Sequence, residues 1–523
     1  MTEDIKDYFA RLLATKDITA IPLEKALLKT AHLVDLSSDF GSEEGAKLAL
    51  RWSDTLEKSD LTPGQRSLLQ FYRANAWDSE RKRKFNPENY AWAWEQTELR
   101  EQLLSLRRAV NPEGLAELEP IERVQILTNL GNQLNSAGRF VEAGEYWGRA
   151  IAEQPRFAMA LANRGSGWHD YARAHYDPGH QRVFLYRAHQ SLAVALADDA
   201  DWGSAPDVAR EFFVQLRIFI AKKIDVEAMD KELKLDGYGL GRSQTEREYR
   251  QWALDNRLFL NPLNDLGTSD VAAQDVLSLP SYRTPIDDGP TLIGFFNQMK
   301  QEFASARWLL FEGIKNQKPH FSDRDTRLHD TLDDPGYSLS IEKTKLAFRS
   351  AYSLLDKVAF FLNDYLTLGI PLAEVSFRSL WFEKRKDKSL ELKPVFTQAK
   401  NWPLRGLYWL AKDFVEQDFR DSSEPDARDL ATIRNHLEHR YLKVRDRDPL
   451  FTQLGPDVYT DRLALFVDRH ELEMKALRIL KLARAAMIYL CFSMHQEETI
   501  RTKDDKGFAM PMTLPPLEHK RRR

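Results

Sequence analysis

The sequence predicts an all-α protein. Apolar residues recur at spacings of three and four along almost its whole length, the period of helices with one buried face. Long alternating stretches rich in valine, isoleucine and threonine are missing, so strands are expected to be incidental. The 523 residues exceed one ordinary core at roughly 100–200 residues per domain, which implies two to four folding units. With 43% hydrophobic residues and 12 tryptophans, the chain can fill those cores, which excludes global disorder.

Composition narrows the functional classes. The 75 lysines and arginines against 79 acidic residues give a net charge of −4, so contact with nucleic acid or an anionic membrane must come from a local patch. The single cysteine, Cys491, permits neither an intramolecular disulfide nor a thiolate zinc site, and fits a reducing compartment. No run of about 18 apolar residues exists, and Met1, Thr2, Glu3 and Asp4 lack the basic and apolar regions of a signal peptide. A cytoplasmic protein without membrane contact is expected.

Taken in order, residues 5–110 hold helical pairs such as Ala46, Leu50 and Leu56 followed by Leu68, Phe71 and Ala74. Residues 126–155 place Leu127, Leu130, Gly131, Leu134, Ala143, Trp147, Ala150 and Pro155 at the spacing of a tetratricopeptide (TPR) repeat. Gly131 and Ala143 permit close helix approach, Trp147 fills the gap, and Pro155 ends the second helix. One period later Leu161, Gly165 and Trp168 repeat the first-helix pattern, while Asp177, Pro178, Gly179 and His180 are expected to delay the second helix to about 186–196. Residues 1–221 thus read as a TPR-like α-solenoid with a concave surface for a peptide, protein or RNA partner.

Residues 222–290 read as a connector, with Gly237, Gly239 and Gly241, a short helix opened by Ser243 and Glu246, and a proline-rich loop. No strand precedes the glycines and no lysine takes a P-loop position, so they form a turn rather than a phosphate cradle. Residues 291–500 predict a bundle with helices near 291–315, 341–368, 402–418, 424–445 and 466–497. The tail, 501–523, ends on His519, Lys520, Arg521, Arg522 and Arg523 and is expected to be disordered, a solubilising segment or a weak phosphate contact.

The most informative stretch runs Ala431, Thr432, Ile433, Arg434, Asn435, His436, Leu437, Glu438, His439, Arg440, Tyr441. Its helix follows Ser422, Ser423, Glu424 and Pro425, residues that favour a helix start. At 100° per residue Leu430, Ile433, Leu437, Tyr441 and Val444 share one face, Asn435 and His439 the opposite one, and Arg434 the boundary. A cation, an amide and an imidazole presented away from the core suit an anionic ligand. Two further Arg-x4-His spacings, Arg164 with His169 and Arg324 with His329, lie within the repeat pattern and in a loop. His436, Leu437, Glu438 and His439 fall one residue short of a His-x-x-Glu-His zinc motif, and no third ligand is evident, so neither metal nor cofactor is expected.

Arg434, Asn435 and His439 resemble the Arg-x4-His signature of the HEPN (higher eukaryotes and prokaryotes nucleotide-binding) superfamily. The flanking sequence is similar to bacterial HEPN proteins with TPR-like helices upstream, through Arg257–Asp265, Ala351–Asn363 and Arg434–Lys443, over about residues 245–497. The resemblance implies a HEPN-like bundle and a metal-independent endoribonuclease in which two motifs meet across a homodimer, acting as a toxin or antiphage effector. The rival expectation is a catalytically inactive scaffold that dimerises and binds a protein or RNA partner.

RNA carries its own nucleophile, the 2′-hydroxyl, so a metal-free site needs a base, a cation for the developing phosphorane charge and a proton for the leaving 5′-oxygen. His439 suits the proton roles and Arg434 the cation, with Asn435 orienting either. One imidazole is poorly placed to be acid and base together, a reason for two subunits to share a cleft. Tyr352 and Asp356, on one quadrant of the 341–368 helix with Arg349 and Asn363, are accessory candidates, Asp356 to orient His439 or Arg434 or to sit in an ion pair. His436 is a second proton carrier or a packed histidine. Arg440, Lys443, Arg478, Lys481 and Arg484 are candidate RNA contacts. The apolar circumference of the same helix, with Leu346, Phe348, Leu354, Leu355, Val358, Phe360, Phe361 and Leu362, is the expected dimer surface.

Overall fold

In the computed structural model, which describes residues 3–85, 90–203, 207–331, 333, 335–384, 390–422, 429–445, 461–504 and 512–517, helices follow one another from end to end. The first four are α1 (Glu3–Leu13), α2 (Leu23–Asp39), α3 (Glu43–Leu56) and α4 (Pro63–Lys84). Ser42 and Thr62 start the last two by accepting the backbone N–H groups of Gly45 and Gln65. Their inward faces, including Leu12, Leu33, Trp52 and Leu69, close a small core of their own.

The next six are α5 (Thr97–Ala109), α6 (Pro112–Glu117), α7 (Pro120–Ser136), α8 (Phe140–Glu153), α9 (Ala158–Ala174) and α10 (Pro178–Ala195). The pair expected at 126–155 is α7 and α8. A Cβ at Gly131 would stand 2.6 Å from the Trp147 indole nitrogen, so glycine is what admits the ring. The pair expected next, α9 and α10, differs in one respect. Its second helix starts at Pro178 rather than near 186, because Asp177 accepts the His180 N–H at 2.7 Å and Pro178 fits the first turn. What reads as a break is a helix start.

Three helices follow, α11 (Asp207–Ala221), α12 (Val226–Glu232) and α13 (Gln244–Asp255), the last capped by Ser243 as expected. Gly237, Gly239 and Gly241 all have positive φ, and Asp270 accepts the N–H groups of the first two, so the turn binds its own carboxylate.

The C-terminal half consists of α14 (Thr291–Lys315), α15 (Leu339–Tyr365), a two-stranded antiparallel pair of β1 (Phe382–Lys384) and β2 (Leu390–Leu392), α16 (Pro394–Thr397), α17 (Trp402–Val415), α18 (Gln417–Ser422), α19 (Leu430–His439), β3 (Tyr441–Arg445), β4 (Ala464–Asp468) and α20 (Arg469–Asp504). Of the helix expected over 424–445, the described residues form one at Leu430–His439, and it ends there. Tyr441–Arg445 leaves it to pair in parallel with Ala464–Asp468, and Val444 O accepts the Gly336 N–H at 2.7 Å. Ser423, Glu424 and Pro425 of the expected start lie outside the described residues, as do 518–523 of the basic tail. No described helix is long and apolar enough to cross a membrane.

The wide apolar circumference of α15 is consumed within the chain. It packs against α14 and α20, which bury Phe348, Leu354, Leu355, Val358, Phe361 and Leu362, half-bury Phe360 and leave Leu346 exposed. Its breadth therefore gives no reason for a dimer. Helix α20 is buried on every side through its middle, from Leu482 to Met494, polar Arg484 and Ser493 included.

Buried ion pairs join the two halves. Arg484 of α20 donates to Asp265 at 2.6 Å and to Asn261 O at 2.9 Å, while Tyr171 of α9 donates to the same Asp265 at 2.8 Å. A second cluster links Arg107 of α5 and Arg139, which precedes α8, to Asp413 of α17, at 2.7 and 2.8 Å, with Glu142 bonded to Arg139 as well. Burial alone would raise the Asp413 carboxyl, but Arg107 and Arg139 outweigh it and hold it down at about 2. A carboxyl depressed in the folded state contributes stability above its unfolded value of 3.8, and that contribution is lost as pH falls through its folded value. Stability against thermal unfolding should therefore fall between about pH 4 and pH 2, and Asp413→Ala, which strands the buried Arg107 guanidinium and leaves Arg139 with the carboxylate of Glu142 alone, should cost about 3–5 kcal/mol at neutral pH. Unfolding curves of both proteins across that range check this.

Candidate functional site

The site is built at the exposed end of α19. Leu430 and Ile433 are buried and fix the helix against the bundle, which turns Asn435 and His439 outward. Thr432, Asn435, His436, His439 and Arg440 line one open cleft of about 390 Å³. Tyr352, Asp356, Ser376, Arg378, Arg434 and Asn435 are among the residues lining a second, of about 240 Å³. Asn435 is common to both, so the two clefts meet across α19.

Arg434 is half-buried and held from two sides. Its guanidinium lies 5.6 Å from the Tyr352 ring centroid, and its Nη1 donates to Asn435 Oδ1 at 3.3 Å. His436 Nδ1 stands 2.8 Å from Thr432 O. A carbonyl oxygen only accepts, so Nδ1 carries the proton and Nε2 of the neutral ring is the basic atom. His439 is exposed one turn beyond Asn435.

Arg349 and Glu438 complete the frame, and sequence reasoning gave Glu438 no role. Arg349 of α15 donates to both Glu438 oxygens, at 3.0 and 3.2 Å, and ties α19 to α15. The hydrogen bond from Arg349 holds the Glu438 carboxyl below the usual range against partial burial, and the charges of Arg349, Arg434 and His439 add to it. Glu438 is thus an ionised anchor. Arg349 stands 89 positions earlier, so no local spacing signals the pair. Arg378, in the loop after α15, also went unread because no periodic pattern marks it.

Residues 283–497 match the family model described as LA2681-like HEPN. This part of the chain is an LA2681-like HEPN domain. No curated protein and no solved structure matches the chain. The HEPN domain contains α14 to α20 up to residue 497, and so α19 with its Arg434 and His439.

Within the HEPN domain the expected residues divide. Arg434, Asn435, His436, His439, Arg440, Tyr352 and Asp356 share the two clefts, although the Asp356 carboxylate accepts the Phe377 N–H at 3.0 Å, an orienting bond to the loop. Asn363 lies elsewhere, bonded to Ile370. Lys443 is not an RNA contact: on β3 rather than a helix, it is buried between Asp333 at 2.5 Å and Asp461 at 3.1 Å. Arg484 is a core residue. Arg478 and Lys481 face Glu142 and Glu145 of α8 and pair across the interface between halves. Of the two other Arg-x4-His spacings, Arg164 and His169 lie in α9, and Arg324 and His329 stand exposed between α14 and α15. Among the described residues no group of three or more His, Cys, Asp or Glu side chains is placed to hold a metal ion.

Two substitutions compare a buried ion pair with a partly exposed one. Lys443→Ala leaves Asp333 buried without its cation and should lower stability by about 3–5 kcal/mol, whereas Glu438→Gln breaks a partly exposed pair and should cost under about 1 kcal/mol. Urea unfolding of the two variants measures the difference.

Proposed function

We propose that the protein is a metal-independent endoribonuclease whose HEPN domain cleaves RNA by attack of the 2′-hydroxyl on the adjacent phosphorus. The observation that carries this reading is the convergence of a guanidinium, an amide and two imidazoles on clefts that share Asn435. A base takes the 2′-proton, Arg434 binds the charge gathering on the non-bridging oxygens, and an acid protonates the 5′-oxygen as its bond to phosphorus breaks. The products are a 2′,3′-cyclic phosphate and a 5′-hydroxyl. His439 is the proton carrier most open to substrate, and Tyr352 and Asn435 keep Arg434 in place. Exposed Arg440 adds a phosphate contact.

In this reading two HEPN domains face each other, because one His439 serves poorly as acid and base in the same turnover. The partner's surface is the exposed end of α19 rather than α15. The N-terminal half, read as TPR-like repeats, regulates a toxin or antiphage effector.

Cleavage of a defined RNA should persist in chelator. His439→Ala should lose about 10²–10⁴-fold in rate, the usual loss of a positioned acid or base. Arg434→Lys should fail in large part, since it keeps the charge and loses the paired geometry. Light scattering at micromolar concentration should return twice the chain mass. Undiminished cleavage by His439→Ala, or cleavage abolished by chelation, would remove the mechanism and leave a binding scaffold.

A further inference from the structure

Three arginines outside the HEPN domain gather without a carboxylate of their own. Arg164 comes from α9, Arg187 from α10, and Arg257 from the segment just after α13. None of the three has an ion pair among the described residues. Arg164 Nε donates to Ser191 Oγ at 3.2 Å, and its guanidinium lies 4.6 Å from the Trp168 ring centroid. Arg187 Nη1 donates to Gln190 at 2.9 Å. Arg187 Nε and Arg257 Nη1 are buried with no hydrogen-bond partner among the described residues. Such groups are costly to leave unmatched.

The backbone at Arg257 is a second, independent sign. Its N–H donates to Leu254 O at 2.9 Å and the Leu258 N–H to Ala253 O at 2.8 Å, the pattern that ends a helix on a left-handed residue. Arg257 has φ +55°, a conformation in which glycine is favoured and a side chain is strained. A Cβ at Gly148 of α8 would lie 3.4 Å from Arg257 Nη2, so the guanidinium rests against α8 at this position. Glu145, which feels the charge of Arg257, is already bonded to Lys481 at 3.1 Å. Arg164 bonds Ser191, one turn after Arg187 on α10, and burial and then the charges of Arg257 and Arg187 lower Arg164 to about 10, so both act on its guanidinium.

Partly buried like charges repel unless an anion joins them, and guanidinium forks match the oxygens of phosphate. We propose that Arg164, Arg187 and Arg257 form a phosphate-binding site on the N-terminal helices, separate from the HEPN clefts. The phosphate comes either from a free nucleotide or from a phosphorylated nucleic-acid end.

Titration calorimetry on full-length protein carrying Arg434→Ala and Arg440→Ala, which removes the other arginines proposed to bind phosphate, tests this without relying on cleavage. The probes are pyrophosphate, ATP, and a DNA oligonucleotide with a 5′-phosphate or a 5′-hydroxyl. Saturable binding of pyrophosphate is expected, weakened at least about tenfold by Arg187→Gln and by Arg257→Gly. Because glycine suits the left-handed position, Arg257→Gly should keep or raise the melting temperature while losing the ligand. Preference for ATP assigns a free nucleotide, and preference for the 5′-phosphorylated oligonucleotide assigns a chain end. No saturable binding by any probe, undiminished binding by Arg257→Gly, or a lowered melting temperature in that variant overturns the site.

Discussion

The arrangement of this chain depends on placing arginines in the boundary between its two halves. Arg107, Arg139 and Arg484 are buried there, and each meets a carboxylate from a distant part of the sequence. A buried charge is tolerated only with its partner in place, so each pair admits few arrangements of the helices that supply it. The apolar contacts alone are less selective. Phe140 packs among Trp402, Tyr489 and Phe492, and rings can slide where an Arg107–Asp413 fork cannot. Helices that resemble an independent repeat array in sequence are thereby fastened to the HEPN domain, with one apolar core running from Phe71 to Met494.

Much of the helical order was legible because periodicity and caps are local. Thr291–Lys315 and Trp402–Val415 begin where the sequence places them, and Ser243 and Gly131 do what their chemistry suggests. The errors arise where a distant segment decides. Tyr441, Leu442, Lys443 and Val444 continue a helical pattern, yet the pairing partner at 464–468 and the backbone of Gly336 draw them into a strand. The same event turns Lys443 inward to Asp333. Arg484 looks like a surface cation only while Asp265, over two hundred positions earlier, is not considered.

The candidate site was legible to a similar depth. The motif and its outward face follow from spacing within α19, and Tyr352 from its position on α15. Glu438 lies inside the motif, yet its function as an anchor depends on Arg349, which only the packing of α15 against α19 discloses. The dimer surface shows the converse. A broad apolar stripe on one helix says how much must be buried but not by whom, and here α14 and α20 cover it.

One short path of covalent and hydrogen-bonded steps links the site to the boundary between halves. His439 ends α19, β3 follows after a single residue, β4 is hydrogen-bonded alongside it, and α20 begins at the residue after β4. At 1.5 Å per residue, the 36 residues of α20 make a rod about 54 Å long. Its first turns abut the strands, and Arg478, Lys481 and Arg484 grip the N-terminal side farther along. The catalytic candidate is thus mounted on the short arm of a lever whose long arm lies in the grasp of the other half. Tilting that half would swing the strand pair, and with it the orientation in which His439 is offered.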